Sequence, residues 1–122
     1  LLANRLGYPT AEIVWEETDV AHDIKNALEM AEMPRTGILS IPIADNEHFK
    51  VVLFMMPAGQ YISPHTTAYP ATIYVIKGVC DFTLGEEKHE VKTGDFFYMP
   101  PAFNHALEAK EDFVFLLTFR KG

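Results

Sequence analysis

The chain has 122 residues, 48% of them hydrophobic and 22% charged, with a net charge of −7 and a pI near 5.1. That length holds one domain around a single core. The acidic balance excludes a strong electrostatic hold on nucleic acid or on anionic lipid, and no apolar run approaches the ~20 residues of a membrane span. The lone cysteine, Cys80, has no internal disulfide partner, which fits a cytoplasmic protein. The first residues carry no charged segment followed by an apolar core, so no secretory signal is read in them.

Taken in chain order, residues 1–36 read as an N-terminal extension and 37–122 as one β-domain. Val20, Ile24, Ala27, Leu28 and Ala31 recur at helical spacing behind a capping Thr18 or Asp19, and Met33-Pro34 stops the pattern. The spacing predicts an amphipathic helix over about 19–33. From Gly37 the texture changes to short β-like runs, predicted over 38–43, 49–56, 72–76, 79–84, 88–92, 95–99, 105–109 and 113–119. Gly, Pro, Asp and Asn clusters separate them. Many short strands at this spacing indicate a sandwich or barrel. The run 113–119, and the run 49–56 after Lys50, are apolar at odd and even positions alike, so both of their faces must be covered. The helix and a second subunit are the expected covers, which makes a homodimer the expected assembly.

Two Gly- and Pro-bracketed segments each carry a histidine. The first runs from Gly59 through His65 to Gly78; the second contains Gly94, Asp95, Pro100 and His105. If the strands between them fold back, both imidazoles face a shared interior. Phe54, Met56, Ile73, Val75, Phe97, Met99, Phe103 and Leu107 would line it, and His65, Thr67 and His105 would supply polar groups, with Tyr74 able to reach inward. His65, Thr67, His105, Tyr74, Met99 and Phe103 are therefore the candidate ligand-binding residues. His22, His48 and His89 fall on a helix surface or in turns and are left out.

These segments resemble the paired motifs of the cupin superfamily. Gly59, His65 and Gly78 match the first motif in register, while Gly94, Asp95, Pro100 and His105 match the second. The resemblance covers roughly residues 37–120 and implies a mainly β fold, a jelly-roll β-barrel of cupin type behind the N-terminal helix. In metal-binding cupins two histidines and a glutamate of the first motif join the histidine of the second on one divalent ion. The matching positions here are His65, Thr67, Ala71 and His105, so the implied metal ligands shrink to His65 and His105. The second motif's later Gly and its terminal Asn are replaced by Ala102 and Ala109. The resulting expectation is a small single-domain cupin that binds a small organic ligand inside the barrel and carries an incomplete metal site. Two alternatives stand beside it. One is a metal-dependent oxygenase, isomerase or lyase holding Zn, Fe, Mn, Ni or Cu through His65, His105 and a third ligand; the other is a structural or regulatory dimer. The sequence leaves open whether the protein is an enzyme.

Overall fold

Alternation of inward and outward side chains, read against burial, organises the whole domain. The computed structural model describes residues 24–65 and 68–121, which contain one short helix and nine strands. The helix is α1 (Ala27–Met30), and the first five strands are β1 (Leu39–Asp45), β2 (Phe49–Met56), β3 (Tyr61–His65), β4 (Ala71–Lys77) and β5 (Val79–Leu84). They are followed by β6 (Glu87–Lys92), β7 (Phe96–Met99), β8 (His105–Ala109) and β9 (Phe113–Arg120). All pairs are antiparallel. A five-stranded sheet has the order β1-β2-β9-β4-β7, and a four-stranded sheet has the order β3-β8-β5-β6.

The two sheets close over an interior filled from both sides. Phe113 and Phe115 of β9, Met56 of β2, Ile73 and Val75 of β4 and Met99 of β7 come from the larger sheet. Cys80, Phe82, Val91, Leu107 and Ala109 come from the smaller one. Aromatic pairs knit this core. Phe54 and Phe115, cross-strand partners, stack with centroids 5.0 Å apart, and Phe82 meets Phe97 of the opposite sheet at 4.1 Å. Burying each such ring stabilises the fold by about 1.5–3 kcal/mol.

A second, smaller cluster lies on the outer face of the five-stranded sheet. Leu53, Met55 and Val114 are buried there beneath Ala27, Met30, Ala31 and Met33. This explains why β2 and β9 are apolar at consecutive positions: their even and odd residues serve different clusters. The cover is shorter than the sequence predicts. Within the described residues the helix is only α1, capped by the Asn26 side chain accepting from the Glu29 amide at 3.0 Å; residues 19–23 lie outside them. Ala31 already has extended backbone, with ψ 122°, and Pro34 bars a further turn. Ile24 and Leu28, expected on the apolar stripe, are exposed.

Glycine is required at one turn in particular. Gly78 joins β4 to β5 at φ +96°, and a Cβ there would sit 2.1 Å from the carbonyl oxygen of Asp112. The β4–β5 and β8–β9 turns are thus pressed together at one end of the barrel.

Candidate functional site

At the opposite end lie residues 68–70 ahead of β4, the Gly85-Glu86 turn between β5 and β6, and residues 100–104 between β7 and β8. The last rung of inward positions here consists of His105 and its Cα partner Leu84 from the smaller sheet. From the larger sheet come Ala71 and its two Cα partners, Met99 and Phe119. These apolar positions share the rung with His105, its Cα partner His65 and, beyond Phe119, Lys50 and Asp45.

His105 opens β8 and is 4% exposed, the one polar side chain in the buried class among the described residues. Strand parity puts it inward with Leu107 and Ala109, while Glu108 faces water. Its Nδ1 lies 3.3 Å from the Phe103 carbonyl oxygen. A carbonyl can only accept, so in this arrangement Nδ1 carries the proton and donates it. The bond orients the ring.

His65 closes β3, and its backbone is the Cα partner of His105. The two motif histidines therefore occupy one rung of adjacent strands. A register shift between Ile62 and His65 brings this about, and Pro64, without an N–H for the ladder, lies within the shifted stretch.

The other sequence-predicted residues divide. Met99 is buried in the interior cluster, as read. Thr67 lies outside the described residues. Tyr74 is corrected: Ile73 and Val75 point inward, so Tyr74 falls on the outer face of the five-stranded sheet, 45% exposed. Phe103 is corrected as well. It precedes β8 in the loop, so strand parity does not govern it, and the residue is 51% exposed. Its carbonyl, not its ring, serves the site. Lys50 is a residue that the sequence reading passed over. As the Cα partner of Phe119 it shares the inward register at this same end, and it is half-buried; the clue was its even parity with Val52, Phe54 and Met56. A cleft of about 120 Å³ lined by Thr83, Gly85, Asn104, His105 and Ala106 reaches the histidine from outside.

The cupin-domain family pattern matches residues 52–119, more than half of the chain. The chain belongs to the cupin family. Its fold matches that of a conserved protein of unknown function, SPY1581, from Streptococcus pyogenes, with a TM-score of 0.75 at 22% identity over 91% of this chain and 98% of that one. A cupin superfamily protein from Desulfitobacterium hafniense gives a TM-score of 0.75 at 18% identity, covering 86% and 97% of the two chains. KdgF from a Halomonas species gives 0.69 at 23% identity, covering 78% and 91%. No curated protein matches the sequence.

The family's divalent ion can be tested against the donors that this cupin retains. Ala71, at the position matching the family's glutamate, is inward-facing and 6% exposed, and it offers no donor atom. Thr67 replaces a histidine with a neutral hydroxyl. No group of three His, Cys, Asp or Glu side chains able to hold a metal occurs among the described residues. A catalytic divalent site takes about three protein ligands, so the donors among the described residues do not fit the ion. Cys80 adds nothing at this end: it lies deep in the core at the other one, and burial pushes its thiol up to about 12. Among the described residues no helix is long and apolar enough to cross a membrane.

Proposed function

We propose that this cupin binds a small organic ligand at the open end of its barrel, and that the ligand carries a carboxylate. The observation that carries the reading is His105: a buried, hydrogen-bonded imidazole on the rung that holds Leu84, Met99 and Phe119, where the matching family carboxylate has become Ala71. An apolar lining with a few convergent polar groups is what holds a small molecule. Removal of the carboxylate side chain favours an anionic guest over a cationic one. Lys50, on the same inward register, adds a positive charge that such a guest would meet.

Thermal unfolding with a panel of small carboxylic acids, neutral sugars and aromatic compounds tests this. A carboxylate at a hundred times its Kd should raise Tm by on the order of 10 °C. His105→Ala should abolish the shift, and Lys50→Gln should reduce it. If Zn, Fe, Mn, Ni or Cu instead gives the shift, with stoichiometric metal by elemental analysis, the proposal is wrong.

A further inference from the structure

Lys50, Arg120 and Lys121 gather where β1 and β9 end and β2 begins. Two of these cations are engaged at the rim. Arg120 lies over the Tyr69 ring at 5.7 Å, and Lys121 Nζ donates to Asp45 Oδ1 at 2.7 Å. Lys50 differs from both. It is half-buried on the rung of Phe119, Ala71 and Met99, and it makes no hydrogen bond or ion pair among the described residues.

The carboxylate that should pair with Lys50 stands next to it. Asp45 is its Cα partner on β1, and side chains opposed in this way leave the same face with Cβ atoms about 4.5–5.5 Å apart. The Asp45 carboxylate nevertheless goes to Lys121, which follows β9, two strands away in the order β1-β2-β9. Backbone bonds hold both ends of that link. The Lys121 amide donates to the His48 carbonyl at 2.9 Å, which lays residue 121 across the β1–β2 turn. Within the turn the Asn46 side chain accepts from the amides of His48 and Phe49 at 2.8 and 2.9 Å. A charge-assisted bond of this length is among the stronger hydrogen bonds, and little chain has to be ordered to make it. A half-buried ammonium without a counter-charge, by contrast, costs free energy that an arriving anion would recover.

We propose that Lys121 is a positioning residue: by holding the Asp45 carboxylate at the rim, it keeps that carboxylate off Lys50 and leaves the Lys50 ammonium open to a guest in the barrel. The consequence for a guest rests on the carboxylate-binding function proposed above; the arrangement of the three side chains does not. Without Lys121, Asp45 turns to Lys50 and competes with the guest's carboxylate for one ammonium. A role for Lys121 in merely pinning the end of β9 would not pass through Asp45, so the two roles separate.

Acetylation of the full native chain by an acetyl ester of N-hydroxysulfosuccinimide at mildly alkaline pH, resolved by peptide mass spectrometry, reads Lys50 without a ligand. Only the neutral amine reacts, and a carboxylate partner favours the charged form. Lys121→Gln should therefore slow the reaction at Lys50 by about threefold or more. Lys121→Arg should keep the wild-type rate, and Asp45→Asn combined with Lys121→Gln should restore it. By titration calorimetry, benzoate should bind Lys121→Gln about fivefold more weakly than the wild type, with recovery in the double variant. Equal Lys50 rates in the wild type and Lys121→Gln overturn the proposal and leave the carboxylate-binding function untouched. So does a slow rate that Asp45→Asn does not rescue, or a benzoate affinity that is the same in all three proteins. The expected order of rates, with benzoate, acetate and the rest of the carboxylic-acid panel all failing to bind, overturns that function and leaves Lys121 in its positioning role.

Discussion

The two ends of the barrel are built from the same strands but held in different ways. At the closed end the turns are tied to one another. Gly59 donates to the Ala109 carbonyl at 2.8 Å, Ala58 to the Asp112 carboxylate at 3.0 Å, Gly78 to the Thr93 hydroxyl at 3.1 Å and Gly94 to the Val75 carbonyl at 2.9 Å. Beneath them Met56, Cys80 and Phe113 are fully buried. At the open end the described links are partly exposed. Gly85 donates to the Asn104 carbonyl at 2.7 Å. Arg120 lies over the Tyr69 ring at 5.7 Å, and a hydrogen bond from Lys121 holds the Asp45 carboxyl below its ordinary range. Ala102 there adopts φ +67°, a conformation that a side chain disfavours by about 1–2 kcal/mol. The difference assigns stability to one end and leaves the other able to carry strain and a buried imidazole, the pattern expected where a rigid scaffold presents a binding site.

If that division is real, exchanging Gly and Ala at a left-handed residue should matter much more at the closed end than at the other. The largest effect is expected at Gly78. Gly78→Ala drives a Cβ against a backbone oxygen that the neighbouring turn cannot withdraw. Denaturant unfolding should show a loss of roughly 4 kcal/mol; a loss below about 1 kcal/mol would mean that the closed end is more pliable than described.

Cys80 probes the same end by titration. Its thiol stays protonated in the fold up to about 12, against an ordinary value of 9.0. Because the folded-state value is the higher one, the contribution is fully present below pH 9. It is lost as the pH rises toward 12, since the unfolded chain releases the proton first. Stability should therefore fall above pH 9, by up to about 1.4 kcal/mol per pH unit from this group. Cys80→Ala should flatten the slope, and iodoacetamide should leave the native thiol unmodified at neutral pH. Rapid native alkylation would show that the closed end opens.

The smallest effect is expected at the open end, where the exchange runs from Ala to Gly. Ala102→Gly relieves the left-handed residue and should raise stability by about 0.5–1 kcal/mol, or roughly 2–4 °C in Tm. A decrease would show that the Ala102 methyl packs against something that its exposure does not suggest.

The fold was legible because its signals are local and repeated. Gly59, Gly78 and Gly94 mark turns at positive φ, and the predicted strand bounds at 49–56, 79–84 and 105–109 coincide with β2, β5 and β8. β3 escaped notice because Ser63 and Pro64 break its β-like texture; it pairs only with β8, as an edge strand where proline is tolerated. The helix was overextended because apolar spacing continues through Ala31, although Pro34 dictates the backbone before it. At the site, parity within strands was dependable and parity carried across a loop was not. His105, Leu107 and Ala109 point inward as read, but Phe103 sits in the preceding loop and Tyr74 was given the wrong side of its strand. Lys50 was missed because an apolar run drew attention to the residues that follow it.

The place of β9 in the larger sheet sets how late in synthesis that sheet can be completed. The strand is late in sequence yet central in space, bonded to β2 on one side and β4 on the other. Until it is synthesised, those two strands present open edges to whatever is nearby, and the barrel has a gap through its middle. A nascent chain arrested before Phe113 should thus remain a client for chaperones, and closure should come as a single late event.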